Sequence, residues 1–177
     1  MNKTEKIVIG GGCFWCVETV FSNTKGVISA ISGYAGGNTD NPNYDQVSMG
    51  RTGHAEVVEI EFNPEIIDLE KIFGIFFTIH DPTTLNRQGH DVGTQYRSII
   101  LFSNEEQKQL ALEMIKKVES ENGGQKVVTE VLPLKGFFPA EEYHQHYFEK
   151  NPDQAYCQLV VAPKLAKFRE KYKEYYK

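Results

Sequence analysis

The amino-acid sequence predicts an α+β fold, a two-layer α/β sandwich with long functional loops in a single domain. Three observations carry this. Of 177 residues, 40% are hydrophobic, enough apolar material for one sizeable core and too little for two large ones. Strand-like and helix-like segments alternate irregularly, unlike the regular succession of a doubly wound sheet. No dinucleotide-type glycine fingerprint follows any strand, and neither an internal repeat nor a Pro/Gly/Ser-rich linker divides the chain.

Lys6 to Gly10 is a short apolar β-type run closed by Gly10-Gly11-Gly12, and Cys13 to Phe21, free of Gly and Pro, predicts a helix. Val27 to Ile31 reads as a second strand, ended by the flexible Gly33-Tyr34-Ala35-Gly36-Gly37, and the polar stretch Pro42 to Met49 can hold a short helix. Residues 55–62 form the clearest strand: Glu56, Val58, Ile60 and Phe62 fall on one face, which puts Glu56 on the apolar side. Ile67 to His80 fits an amphipathic helix through Leu69, Ile72, Phe73, Phe76 and Phe77, ended by Asp81-Pro82. Residues 81–96 form a long polar loop, a feature that in a compact domain usually builds a site. Arg97 to Phe102 is a strand, Asn104 to Glu119 an Asn-capped helix, and Gln125 to Leu132 a strand after the Asn122-Gly123-Gly124 turn. Helices near Ala140 to Lys150 and Pro163 to Tyr175 complete the set.

Composition excludes several function classes. Nineteen Lys/Arg against 24 Asp/Glu give a net charge of -5, the wrong sign for a nucleic-acid binder. Residues 163–177 are locally basic, which reads as the solvated face of an end helix rather than a membrane-binding segment. The opening MNKTEKIVIGGG has too short an apolar run for a signal-peptide core or a membrane span, so the expected location is the cytoplasm. Three cysteines, Cys13, Cys16 and Cys157, are too few for a disulfide scaffold and point to redox or catalytic use.

Cys13 lies where a Gly-rich turn opens a helix, a position whose free N–H groups and positive dipole end favour a thiolate and lower the thiol pKa. Cys16 completes a C-x-x-C pair. Glu56, on an apolar strand face, loses solvation in its charged form and is a candidate proton donor. Tyr34, Tyr44 and Tyr96 are phenols in or beside loops, able to donate to a ligand oxygen. Phe14 and Trp15 directly follow Cys13 and are candidate walls of an apolar pocket. His144 and His146 are read as surface or capping residues, since two positions apart on a helix they cannot chelate together, and no metal site is expected. On the residues alone, a dithiol exchanger using Cys13 and Cys16 and a zinc-binding interaction module remain open alternatives.

Gly12-Cys13-Phe14-Trp15-Cys16-Val17-Glu18 resembles the signature of the peptide methionine sulfoxide reductases of the A type. Gly33-Tyr34-Ala35-Gly36-Gly37, Pro42-Asn43-Tyr44, Gly53-His54-Ala55-Glu56, the block from His80 to Gln88 and the block from Asp91 to Ser98 resemble the family's other motifs in the same order. The resemblance covers residue 7 to about residue 160 and implies a single catalytic domain over 1–177 with a ferredoxin-like core.

It implies that Cys13 attacks the sulfur of a methionine-S-sulfoxide, free or in an oxidised protein. Glu56 protonates the oxygen, Tyr44 and Tyr96 hydrogen-bond it, Phe14 and Trp15 enclose the methyl group, and Asp91 contacts the substrate backbone. Loss of the oxygen as water leaves a sulfenic acid that condenses with a second thiol, either Cys157 or Cys16. Cys157 is slightly favoured, because a partner on Cys13's own short helix must distort it to reach disulfide geometry. Thioredoxin, or dithiothreitol in its place, is the expected external reductant, with no other cofactor.

Overall fold

The computed structural model describes residues 3–177. A six-stranded sheet is built from β1 (Glu5–Gly10), β2 (Val27–Ala35), β3 (Ala55–Phe62), β6 (Ile99–Phe102), β7 (Glu130–Pro133) and β8 (Phe137–Pro139), in the order β7-β6-β1-β3-β2-β8. Only β6 and β7 run parallel; the other neighbours are antiparallel. Alternation along the central strands decides which side chain meets which layer. Ile7, Ile9, Val58, Ile60 and Phe62 join the main core with α1 (Phe14–Ser22) and α3 (Leu69–Ile79), while Val8, Val57, Ile99 and Leu101 form a smaller cluster on the opposite face.

Local sequence explains the helix ends. Asp68 accepts the Lys71 N–H at 2.7 Å to start α3, and Asn104 accepts that of Gln107 at 2.9 Å to start α4 (Glu105–Glu121). The short α2 (Tyr44–Ser48) has a full capping box between Asn43 and Gln46. α1 has no side-chain cap; Cys13, with ψ 129°, stands in the cap position.

The differences from the sequence expectation have tertiary causes. β2 runs on to Ala35, through the glycine-rich stretch expected to be flexible, because Gly33, Tyr34 and Ala35 pair with β3 on one edge and β8 on the other. Residues 125–129 are not strand: Val128 N–H bonds to Pro82 O and Thr129 Oγ1 to Ser98 Oγ, so β7 starts only at Glu130. The 81–96 loop contains the two-residue strands β4 (Arg87–Gln88) and β5 (Asp91–Val92) and a 3-10 turn over Thr94–Tyr96. The helix expected over 140–150 is broken at His146, φ 53°, into a 3-10 turn (Glu142–His144) and α5 (Tyr147–Lys150). A π-helical turn, Cys157–Val161, leads directly into α6 (Ala162–Lys171). No helix among the described residues is long and apolar enough to cross a membrane.

The glycine turn after β1 is set by close approach. A Cβ on Gly11 would lie 2.9 Å from the ring of His80, which is buried between Phe76 O (2.6 Å) and Ser98 Oγ (2.8 Å). Gly12 has φ +91°, with Gln88 packed where a side chain would go. Gly11→Ala is therefore expected to destabilise the protein by about 1–3 kcal/mol through overpacking. An unchanged denaturant midpoint would contradict this.

Candidate active site

β1 and its glycine turn deliver Cys13 to the start of α1, and β3 brings Glu56 beneath it. Phe14 N–H donates to Glu56 Oε1 at 3.1 Å, joining helix to strand at the point where thiol and carboxyl meet. Both groups are almost out of water, with Cys13 8% and Glu56 2% exposed. A cavity of about 150 Å³ is lined by Cys13, Phe14, Trp15, Tyr44, Glu56, Asp91, Tyr96 and Tyr156. Larger hollows of about 850 Å³ and about 570 Å³ hold no cysteine; the first lies among α3, α4 and α6, the second along α6.

Burial dominates the electrostatics. It pushes the Glu56 carboxyl up to about 8, against the Phe14 N–H, so the group is mostly protonated at neutral pH. The Cys13 thiol is also pushed well up, first by burial and then by its hydrogen bond with Cys16 and by the charge of Glu56; the Trp15 N–H acts the other way and is outweighed. This reverses the lowering expected from the helix start, because that expectation took no account of lost solvent. The Cys16 thiol is lowered, chiefly through its hydrogen bond with Cys13. Tyr44 and Tyr96 are raised by burial and remain phenols able to donate.

The structure brings eight of the nine residues assigned by the family resemblance into one cluster, seven of them lining the cavity and Cys16 bonded through its N–H to Cys13 O at 3.2 Å. Cys157, fully buried on the π-helical turn, does not line it, and its thiol is pushed up by burial with Cys16 as the second contributor. Tyr34 is absent from the lining: its hydroxyl donates to Glu141 Oε1 at 3.0 Å, and its ring lies 5.7 Å from that of Phe14. Glu141 also accepts the Tyr44 N–H at 3.2 Å, holding the start of α2 against the site.

Three residues not picked out by sequence reasoning complete the surroundings. Tyr156 lines the cavity and donates to Asp91 Oδ2 at 2.5 Å; its adjacency to Cys157 was the only sequence signal. His144, expected at the surface, is 1% exposed and its Nδ1 accepts the Trp15 indole N–H at 3.1 Å. Tyr147 stacks on the Trp15 ring, with centroids 3.7 Å apart and planes 3° apart. Trp15 is thus clamped from the segment after β8. Among the described residues, no group of three or more His, Cys, Asp or Glu is arranged to hold a metal ion.

The family described as peptide methionine sulfoxide reductase matches residues 5–176. The peptide methionine sulfoxide reductase MsrA of Nautilia profundicola is 58% identical over 163 residues, 92% of this chain and 93% of its own length. Among solved structures, reduced Mxr1 from Saccharomyces cerevisiae aligns with a TM-score of 0.82 at 36% identity, covering 88% of this chain and 90% of that one. Mxr1 in complex with Trx2 aligns with a TM-score of 0.59 at 25% identity, covering 82% and 85%.

The clamp on Trp15 has a measurable cost of removal. His144→Phe fills the space but leaves the indole N–H without its acceptor, and is expected to destabilise the protein by about 1–3 kcal/mol. Equal denaturation midpoints for the two proteins would refute that assignment.

Proposed function

The chain belongs to the peptide methionine sulfoxide reductase family, oxidoreductases that return methionine sulfoxide to methionine, and on that premise we propose how its residues divide the reaction. The observation that carries the reading is a buried thiol and a buried, mostly protonated carboxyl facing one small aromatic-lined cavity. Phe14 and Trp15 enclose the methyl group of a methionine-S-sulfoxide, Tyr44 and Tyr96 donate to its oxygen, and Asp91, held by the Tyr156 hydroxyl, meets the backbone of the substrate.

Cys13 Sγ forms a bond to the substrate sulfur as the sulfur–oxygen bond breaks. The oxygen leaves as water with two protons, one from the Cys13 thiol and one from Glu56, leaving a sulfonium opposite a carboxylate. Water then attacks Cys13 Sγ, releases methionine and returns a proton to Glu56; Cys13 becomes a sulfenic acid. Condensation with a second thiol expels water and forms a disulfide, so two thiols are oxidised for each sulfoxide reduced. Cys16 lies in the first turn of α1, three residues after Cys13, and each of the two thiols shifts the other, which supports Cys16 as this thiol. Because Cys13 caps α1 with ψ 129° and is not inside it, the pair is not tied to helical spacing. Cys157, whose thiol feels Cys16, then takes the disulfide by exchange.

Thioredoxin reduces the final disulfide, a role supported by the complex of the related Mxr1 with Trx2, and dithiothreitol replaces it in the assay. These steps call for no further cofactor. The chain acts as one catalytic domain, in the reducing cytoplasm where free thiols persist. A ferredoxin-like core is supported by the order β6-β1-β3-β2, two interleaved strand-helix-strand units with antiparallel neighbours.

Cys13→Ser is expected to abolish reduction of methionine sulfoxide, and undiminished turnover in that variant would end the assignment of the nucleophile. Cys16→Ser and Cys157→Ser should each still release one methionine per chain in a single-turnover assay but lose recycling by thioredoxin. Only Cys16→Ser should leave a sulfenic acid that dimedone traps; trapping in Cys157→Ser alone would reverse the order.

Glu56 must be protonated to act, so kcat should fall as pH rises through about 8. Glu56→Gln should be slower by about 10²–10⁴-fold and lack that limb of the profile. The same limb persisting in Glu56→Gln would remove the acid role.

A further inference from the structure

Trp15, the single tryptophan of the sequence, is gripped by His144 and Tyr147, and the chain between them turns at His146 with φ 53° and ψ 38°. That left-handed conformation is disfavoured for a residue bearing a Cβ and persists only where its surroundings hold it. Glu18 lies one helical turn after Trp15 on the same side of α1. Its Oε1 accepts the His146 N–H at 2.8 Å and lies 3.5 Å from His146 Nδ1.

The Glu18 side chain is 1% exposed, and its Oε2 has no hydrogen-bond partner among the described residues. A carboxyl so deeply buried with one oxygen unmatched is costly, and none of the catalytic steps uses it. Gln145 ties the same turn to β2 independently, through Ser32 N (3.0 Å) and Ser32 O (2.9 Å). Loss of Glu18 would therefore release His146 without unseating the whole segment.

We propose that Glu18 is a positioning residue, which by holding the His146 N–H pins the left-handed turn that carries His144 and Tyr147 and so fixes Trp15 as a wall of the sulfoxide cavity. The inference rests on the reading of Trp15 as such a wall. Glu18 touches neither substrate nor thiol, so its effect falls on binding and not on the chemical step.

The test compares Glu18→Ala, Glu18→Gln, His146→Val and the pair Glu18→Ala/His146→Gly in the full chain. It follows KM and kcat for a peptide methionine sulfoxide with dithiothreitol as reductant, and Trp15 emission without substrate. Glu18→Ala should raise KM about tenfold and shift the emission, with kcat held within about threefold. Glu18→Gln, whose amide oxygen accepts the same N–H, should keep parental values. Glycine at 146 adopts the turn freely, so the pair should recover most of the loss.

Should Glu18→Ala fail to fold, His146→Val decides, because it strains the same turn from an exposed side and should raise KM and shift the emission likewise. Unchanged emission in the folded variants overturns the latch alone. Shifted emission with unchanged KM overturns both the latch's role in binding and the reading of Trp15. A fall in kcat at constant KM, or a Glu18→Gln as impaired as Glu18→Ala, also overturns the proposal.

Discussion

A single hydrogen bond, from the Phe14 N–H to Glu56 Oε1, ties the helix that opens at Cys13 to the strand that carries Glu56. Both side chains are almost wholly buried, and the site depends on that burial. In such a setting a thiolate and a carboxylate side by side would repel and both would lack solvation. The resting arrangement avoids this by keeping both groups protonated. In the proposed reaction the sulfoxide oxygen, leaving as water, takes up the two protons so stored, and the sulfonium that forms is a charge the new carboxylate can oppose. Burial is thus a condition of the chemistry as well as of packing.

The parts of the site legible in the sequence are those set by short-range periodicity. The period-two pattern from Ala55 to Phe62 was enough to put Glu56 with Val58, Ile60 and Phe62, and the glycine run before Cys13 was enough to put that cysteine at a helix start. The aromatic pair after it falls in the cavity lining for the same reason.

What was not legible comes from distant segments. His144 and His146 look like helix neighbours, but the left-handed residue between the two turns sends His144 inward against Trp15. Gly33 to Ala35 look like a flexible loop until β3 and β8 pair with them from either edge. The elevated Cys13 thiol follows from burial and from the neighbouring Cys16 and Glu56, the last brought in from β3, which no local pattern encodes. The π-helical turn that buries Cys157 likewise has no signal beyond an ordinary helical stretch.

The cavity over Cys13 is small, ringed by aromatic side chains and braced by the bond from Tyr156 to Asp91. A hollow of about 150 Å³ takes the tip of one side chain, and the backbone that bears it can do no more than meet its edge. A damaged methionine sealed inside a folded host is therefore out of reach until the host opens locally. In the proposed reaction, repair of an interior residue is thus paced by the local opening of its host, whereas a side chain standing free of the surface is met directly.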